Sequence, residues 1–340
     1  MTKSNSIFDY LKENLAVFVF IGLCLVFPLL RPSDYIMRVM VEVFFFGALG
    51  TAWNILGGFG QQISWASASF FATGAYTSML MYLRLGGVSP WISIWVGMAL
   101  AVLLAIIIGI PCFRLRGVYF AIATIACASI VRQLLLYFRG FTGGSLGLAF
   151  QVRTQESFVD LFFVSDVPYY YITLFWMLIT VGVTIGINRS RLGYYLKAIR
   201  EDDIAAESLG IRAHRMKLLA FIISSMLMAA TGTFYAFKVG YIDPFLVASH
   251  DMSVRIGITA ILGGMGTIWG PVLGAFVAVP LLELSNYFLS DFGGGGAGYA
   301  MYGLLIVLVV LYRPNGLISL LNDLPVRLGK KGRPTQTLGN

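Results

Sequence analysis

Two kinds of residue in this 340-residue chain have types and spacings that suit chemistry: a few ionisable side chains set inside long apolar stretches, and one short charged segment between two such stretches. Glu42 lies six residues into an apolar run, with Arg38 one turn earlier, and such an i,i+4 pair neutralises itself on a helix. Arg132 and Gln133 fall near the end of another run, where snorkelling to the headgroups explains them as well as any site does. Glu283 is more central and has no partner nearby in sequence, so it must face protein or water. The hydroxyls of Ser64, Ser67, Ser69 and Thr73 fall mostly on one flank of a helix. They suit weak binding of a zwitterion's two ends, or equally bonds between helices, which average about 0.6 kcal/mol. The candidates for a solute path are therefore Glu42, Ser64, Ser67, Thr73 and Glu283.

Catalytic chemistry finds no support. No Gly-x-x-x-x-Gly-Lys-Ser/Thr loop occurs, and the Gly293–Gly296 run has no lysine after it and reads as a turn. Cys24, Cys112 and Cys127 lie in or beside apolar runs without metal-ligand spacing and read as packing residues. His214 and His250 sit in different loops. The reading is a non-enzyme with no metal site and no catalytic residues. If it moves a solute uphill, a gradient or a partner must supply the energy.

The charged segment runs from Tyr194 to Lys217. Asp202 or Asp203 suits the N-cap of a short helix and Gly210 its end. Ile204, Ala205, Ala206 and Leu209 give that helix a small apolar face among charges. Such a face fits a partner's groove, because alanines permit close approach; an amphipathic linker lying on headgroups is the competing reading.

The elements that hold these residues are membrane spans. Hydrophobic residues make up 58% of the chain and charged residues 12%, about half of what a water-facing domain carries. Apolar stretches of spanning length cover 15–30, 36–56, 62–83, 90–111, 117–138, 169–188, 217–238, 254–268, 270–290 and 297–313. The expected fold is an all-α polytopic bundle of about 8–10 spans with glycine-interrupted or re-entrant segments. It comprises a cytoplasmic N-terminus (1–14), a membrane domain (15–313) and a basic cytoplasmic tail (314–340). The first stretch follows Lys3 and Lys12 like a signal peptide, but no small-x-small site follows it, so it reads as an uncleaved span.

The net charge of +8 is concentrated in short loops, a membrane pattern rather than a nucleic-acid one. The 189–217 loop and the tail carry the cations and belong inside, as does the Arg114–Arg116 turn. Loops 139–168 and 239–253 then lie outside, leaving Arg84, Arg139 and Arg153 as the main outer cations. This order requires 254–290 to enter and leave on one face, with its turn at Gly263, Gly264 and Gly266. A similar Leu-Gly-Gly-aromatic-or-Met-Gly break stands at Gly57, Gly58 and Gly60, and Gly-Ala pairs follow at Gly74 and Gly274. Paired breaks flank substrate paths in many transporters, while glycines also make simple turns.

The segment Ala198-Ile199-Arg200-Glu201, followed by Ala205-Ala206 and Gly210-Ile211, resembles the coupling loop of permease subunits of bacterial ATP-binding-cassette importers, and most closely the branched-chain amino-acid permease family. Arg114–Ile122, Thr142–Leu148, Leu262–Ala275 and Tyr312–Leu317 resemble further stretches of that family in the same order, and the resemblance covers roughly 36–320. The family usually reads Gly-Gln-Leu-Ser-Leu-Gly-His where this chain has Gln61-Gln62-Ile63-Ser64-Trp65-Ala66-Ser67, a departure that keeps urea or short-chain amides open as substrates.

The resemblance implies two ATP-binding subunits docked on Ala198, Arg200, Glu201, Asp202, Ala205, Ala206 and Gly210, with ATP and Mg bound by those partners and no cofactor bound by this chain. It also implies a second, related permease, a periplasmic or lipid-anchored binding protein, and a bacterial inner-membrane location with alternating access. The rival readings are a self-sufficient secondary transporter or channel, and a scaffold that moves nothing.

Overall fold

The computed structural model describes residues 15–150 and 156–293, with 300, 303–304, 307, 311 and 316–319. The segment 1–14, Arg153, most of the 297–313 stretch and most of the tail lie outside the described residues. What is described is an all-α polytopic bundle. Helix α1 (Leu15–Val26) passes into a 3₁₀ turn (Phe27–Leu30) where Pro28 removes a backbone donor. Then follow α2 (Asp34–Gly57), α3 (Ser67–Arg84), α4 (Pro90–Cys112), α5 (Val118–Tyr137) and α6 (Asp166–Arg189). The connecting helices α7 (Arg191–Glu201) and α8 (Asp203–Ser208) lead to α9 (Ala213–Val239), α10 (His250–Gly263) and α11 (Gly270–Gly293). Among the described residues six helical units are long and apolar enough to cross a membrane: α2, α4, α5, α6, α9 and the unit Pro244–Gly263 that contains α10.

Helix α2 forms the centre, 83% buried over its apolar window, against 17% for the peripheral α5. It packs on α6, α9, α10 and α11, and α9 packs on α3 and α4. Small residues set the closest approaches. A methyl group at Gly74 of α3 would overlap the Ala229 carbonyl of α9, and one at Gly274 of α11 would overlap the Thr259 carbonyl of α10. Each Gly-Ala pair thus lets the helix after a glycine break lie against a neighbour's backbone.

The two ends of the bundle sort as loop charge predicts. At one end, strand β1 (Leu148–Ala149) pairs antiparallel with β2 (Tyr241–Ile242), joining the two loops expected outside. Asp166 at the start of α6 accepts there from Arg38 of α2 at 3.2 Å and from Lys238 of α9. Arg84 donates to the Gly140 and Phe141 carbonyls at 2.6 and 3.0 Å, so this outer cation is spent on tying a loop. At the other end, Phe113 meets His214, placing the Arg114–Arg116 turn beside the 189–217 connection. Helices α10 and α11 form an antiparallel hairpin that turns at this inner end, as the expected re-entry requires. Gly316 and Leu317 also lie there, Leu317 donating to the Leu262 carbonyl at 2.9 Å.

Three expectations need correction. The stretch 62–83 does not begin as helix: residues 61–66 form no regular secondary structure and α3 starts at Ser67. Side chains bond that irregular segment, since Trp53 donates to the Ser64 carbonyl at 2.8 Å and Thr124 accepts from the Trp65 amide at 3.1 Å. Ser64 therefore does not share a helical flank with Ser67, Ser69 and Thr73. The Arg38–Glu42 pair does not form either, because Asp166 captures Arg38. Third, the apolar face of the short docking helix loses Ala206, which is buried.

Candidate functional site

The inner end is built around α7 and α8. Ser190 caps α7 by accepting from the Gly193 amide. Asp202 breaks the chain between the helices and caps α8, its Oδ1 accepting from Ile204 and Ala205 amides at 2.8 and 3.0 Å. Gly210, with φ +87°, turns the chain back, and its amide donates to the Glu207 carbonyl at 2.9 Å. Ala206 packs with Ile199 and Ala213 in a small cluster beneath, and Asp203 bonds Lys217 of α9 at 2.6 Å. These contacts hold α8 rigidly against α9. What remains outward is apolar: Ile204 is 62% exposed and Leu209 83%, with Ala205 exposed between them.

The other face of α7 meets both glycine breaks. Leu196 contacts Gly60, and the Arg200 guanidinium occupies the space a side chain at Gly266 would need. Gly58 lies against Gly266, and a Cβ at Gly58 would overlap both the Gly266 amide and the Asn54 side chain. Asn54 of α2 clamps the pair: its Oδ1 accepts from the Gly266 amide at 2.8 Å and its Nδ2 donates to the Thr267 carbonyl at 2.7 Å. Gly263 backs directly on Gly270 inside the second turn, and Gly264 lies against Gly316. The two similar glycine motifs are therefore adjacent in space, at the end that carries the charged segment.

Toward the outer end, a cavity of about 500 Å³ lies between α2, α9, α10 and the loop before α10. Glu42 and Arg255 line it with Phe46, Tyr235, Phe245, Leu246 and Met252. Both charged groups are half-buried. The Arg255 guanidinium stands 4.6 Å above the Phe46 ring. Among the described residues Glu42 accepts no hydrogen bond and makes no ion pair, although Arg255, Lys238 and Glu283 are within its electrostatic reach.

Of the other sequence candidates, Ser64 and Ser67 face a void of about 10 Å³ between α2, α3 and α9, too small for a solute. Thr73 donates to the Ser69 carbonyl at 2.7 Å and lines a separate apolar groove between α3, α4 and α5. Glu283 on α11 is half-buried and does not line the Glu42 cavity. Sequence reasoning missed Arg255 and Asn54. Both carried the needed signal, a strongly polar side chain one to three turns from a glycine break inside an apolar stretch.

Residues 35–311 match the family model described as "Branched-chain amino acid transport system / permease component". The chain is 30% identical over 293 residues to the high-affinity branched-chain amino acid transport system permease protein LivM of Escherichia coli K12, covering 80% of this chain and 67% of that protein. It is 26% identical over 273 residues to LivH of Salmonella typhimurium, covering 76% of this chain and 86% of that protein. It is also 34% identical over 143 residues to BraD of Pseudomonas aeruginosa, covering 42% of this chain and 44% of that protein. No solved structure matches.

Proposed function

Because this chain belongs to the family of branched-chain amino acid transport permeases, we propose that it is the membrane subunit of an ATP-driven importer for branched-chain or related amino acids. In this reading ATP-binding subunits dock on the exposed Ile204 and Ala205 of α8 and on Leu209 just after it, and the coupling segment comprises Ala198, Arg200, Glu201, Asp202, Ala205, Ala206 and Gly210. The carrying observation is the contact chain from α7 through Arg200 to Gly266 and Asn54. It connects the docking face to α2 and α10, the two helices that also carry Glu42 and Arg255. Glu42 lies about 18 Å along α2 from Asn54, and Arg255 about 14 Å along α10 from Gly264. A push on α8 thus reaches the cavity through two stiff helices, which is the mechanical requirement of alternating access.

A second permease subunit and a binding protein at the outer face complete the proposed assembly in the bacterial inner membrane. Escherichia coli K12 has two relatives, LivM and LivH, both described as permease proteins of a high-affinity branched-chain amino acid transport system, which supports a paired permease. ATP and Mg belong to the partners in this proposal. Ala205→Glu puts a charge in the docking face, and Gly210→Pro imposes a negative φ where +87° is required. Both variants should insert normally and lose ATP-dependent uptake of radiolabelled leucine in membrane vesicles. Undiminished uptake in either one rejects the docking role.

A further inference from the structure

We propose that the Glu42–Arg255 cavity is the intramembrane binding site for the zwitterionic head of the transported amino acid, with Arg255 taking the carboxylate and Glu42 the ammonium group. This rests on the transport reading above and assigns the substrate contacts that reading lacks. Glu42 and Arg255 stand on the walls of one cavity, carry opposite charges and are half-buried. They lie within electrostatic reach of each other yet make no ion pair. Opposite charges in a partly desolvated site attract strongly, so holding them apart leaves room for something of both signs between them. The Phe46 ring under Arg255 fixes the guanidinium without using its hydrogen-bond donors.

The rest of the wall matches an apolar side chain: Phe46, Tyr235 and Met252 surround the two charges. A volume of about 500 Å³ falls at the small-ligand end of binding cavities. Asp251 also lines the cavity, but it is exposed in the first turn of α10, where solvent screens it. The half-buried Glu42 therefore carries more of the discrimination. A ligand bearing only one of the two charges leaves a cavity charge unmatched, which gives selectivity for zwitterions over the corresponding acid or amine.

The test uses the full chain, with its companion subunits, in membrane vesicles. Val254 also lines the cavity, and Val254→Cys places a thiol there; the unsubstituted chain is the blank for Cys24, Cys112 and Cys127. Alkylation by a water-soluble thiol reagent is timed with leucine, with 4-methylpentanoate (carboxylate only) and with 3-methylbutylamine (ammonium only). Leucine should slow labelling about tenfold more than either analogue, and Glu42→Gln or Arg255→Gln should remove that protection. No protection by leucine, or equal protection by all three compounds, overturns the assignment. Labelling needs neither ATP nor uptake, so it judges the site even if unsubstituted vesicles import no leucine, a result that would overturn the transport reading itself. Conversely, leucine import at the unsubstituted rate in both charge variants overturns the assignment and leaves the transport reading standing.

Discussion

Asn54 matters because a single amide supplies one donor and one acceptor to the same turn. Its two bonds satisfy Gly266 and Thr267, backbone groups that helix geometry leaves open after α10 ends. Asn54→Ala strips both partners and should lower stability by about 1–3 kcal/mol, read as the thermal midpoint of detergent-solubilised protein. Asn54→Asp keeps the acceptor for Gly266 but sets an oxygen against the Thr267 carbonyl, so it should retain part of that loss. Gln61 tells a complementary story. It has φ +50°, a left-handed backbone that favours glycine, at the position where the resembled family usually has one. Gln61→Gly relieves strain and adds chain freedom to the unfolded state, so the two effects should leave stability within about 1 kcal/mol of the parent.

At the level of elements, glycines decide how closely helices approach, and hydroxyls pay little attention to solute. Thr73, Thr77 and Ser78 of the Ser/Thr-rich α3 turn their hydroxyls back to carbonyls of their own helix, as Thr233 does on α9. Gly74→Leu would force α3 off the α9 backbone, since even a methyl group overlaps the Ala229 carbonyl. That variant should fail to give a monodisperse peak on size exclusion, whereas Gly186→Ala in α6, where an added Cβ meets no atom, should elute like the parent. The α7–α8 pair works by a similar economy. Its buried side, with Ala206 and Ile199, anchors it to the bundle, which frees the opposite side for a partner.

For the molecule as a whole, the glycine breaks and the charged segment collect at one end, and the Asp166 ion pairs and the β1–β2 pairing at the other. That polarity matches a membrane orientation with the Arg- and Lys-rich loop inside. It yields a direct check: Val164→Cys, at an exposed position of the outer end, should react with an impermeant thiol reagent added to intact cells. Lys197→Cys should react only after the membrane is opened. The reverse pattern would invert the orientation and, with it, the assignment of the α8 face to cytosolic partners.

How much of this was legible beforehand differs by kind of information. Membrane residence, the positions of most helices and the grouping of loops at the two ends followed from the sequence, because hydropathy and loop charge act locally and each span is independently apolar. The capped short helix α8 was also readable, since Asp202 and Gly210 act within a few residues of themselves. Arg38 shows where local rules stop: spacing offered it Glu42, but Asp166, 128 positions away, is its partner. The same holds for the cavity. Glu42 and Arg255 lie on different helices more than two hundred residues apart, and nothing in their neighbours' types says that α2 and α10 lie side by side. Close packing at glycine, of Gly58 against Gly266 and of Gly50 against Thr259 and Ala260, sets those helices in register and turns two scattered charges into one site.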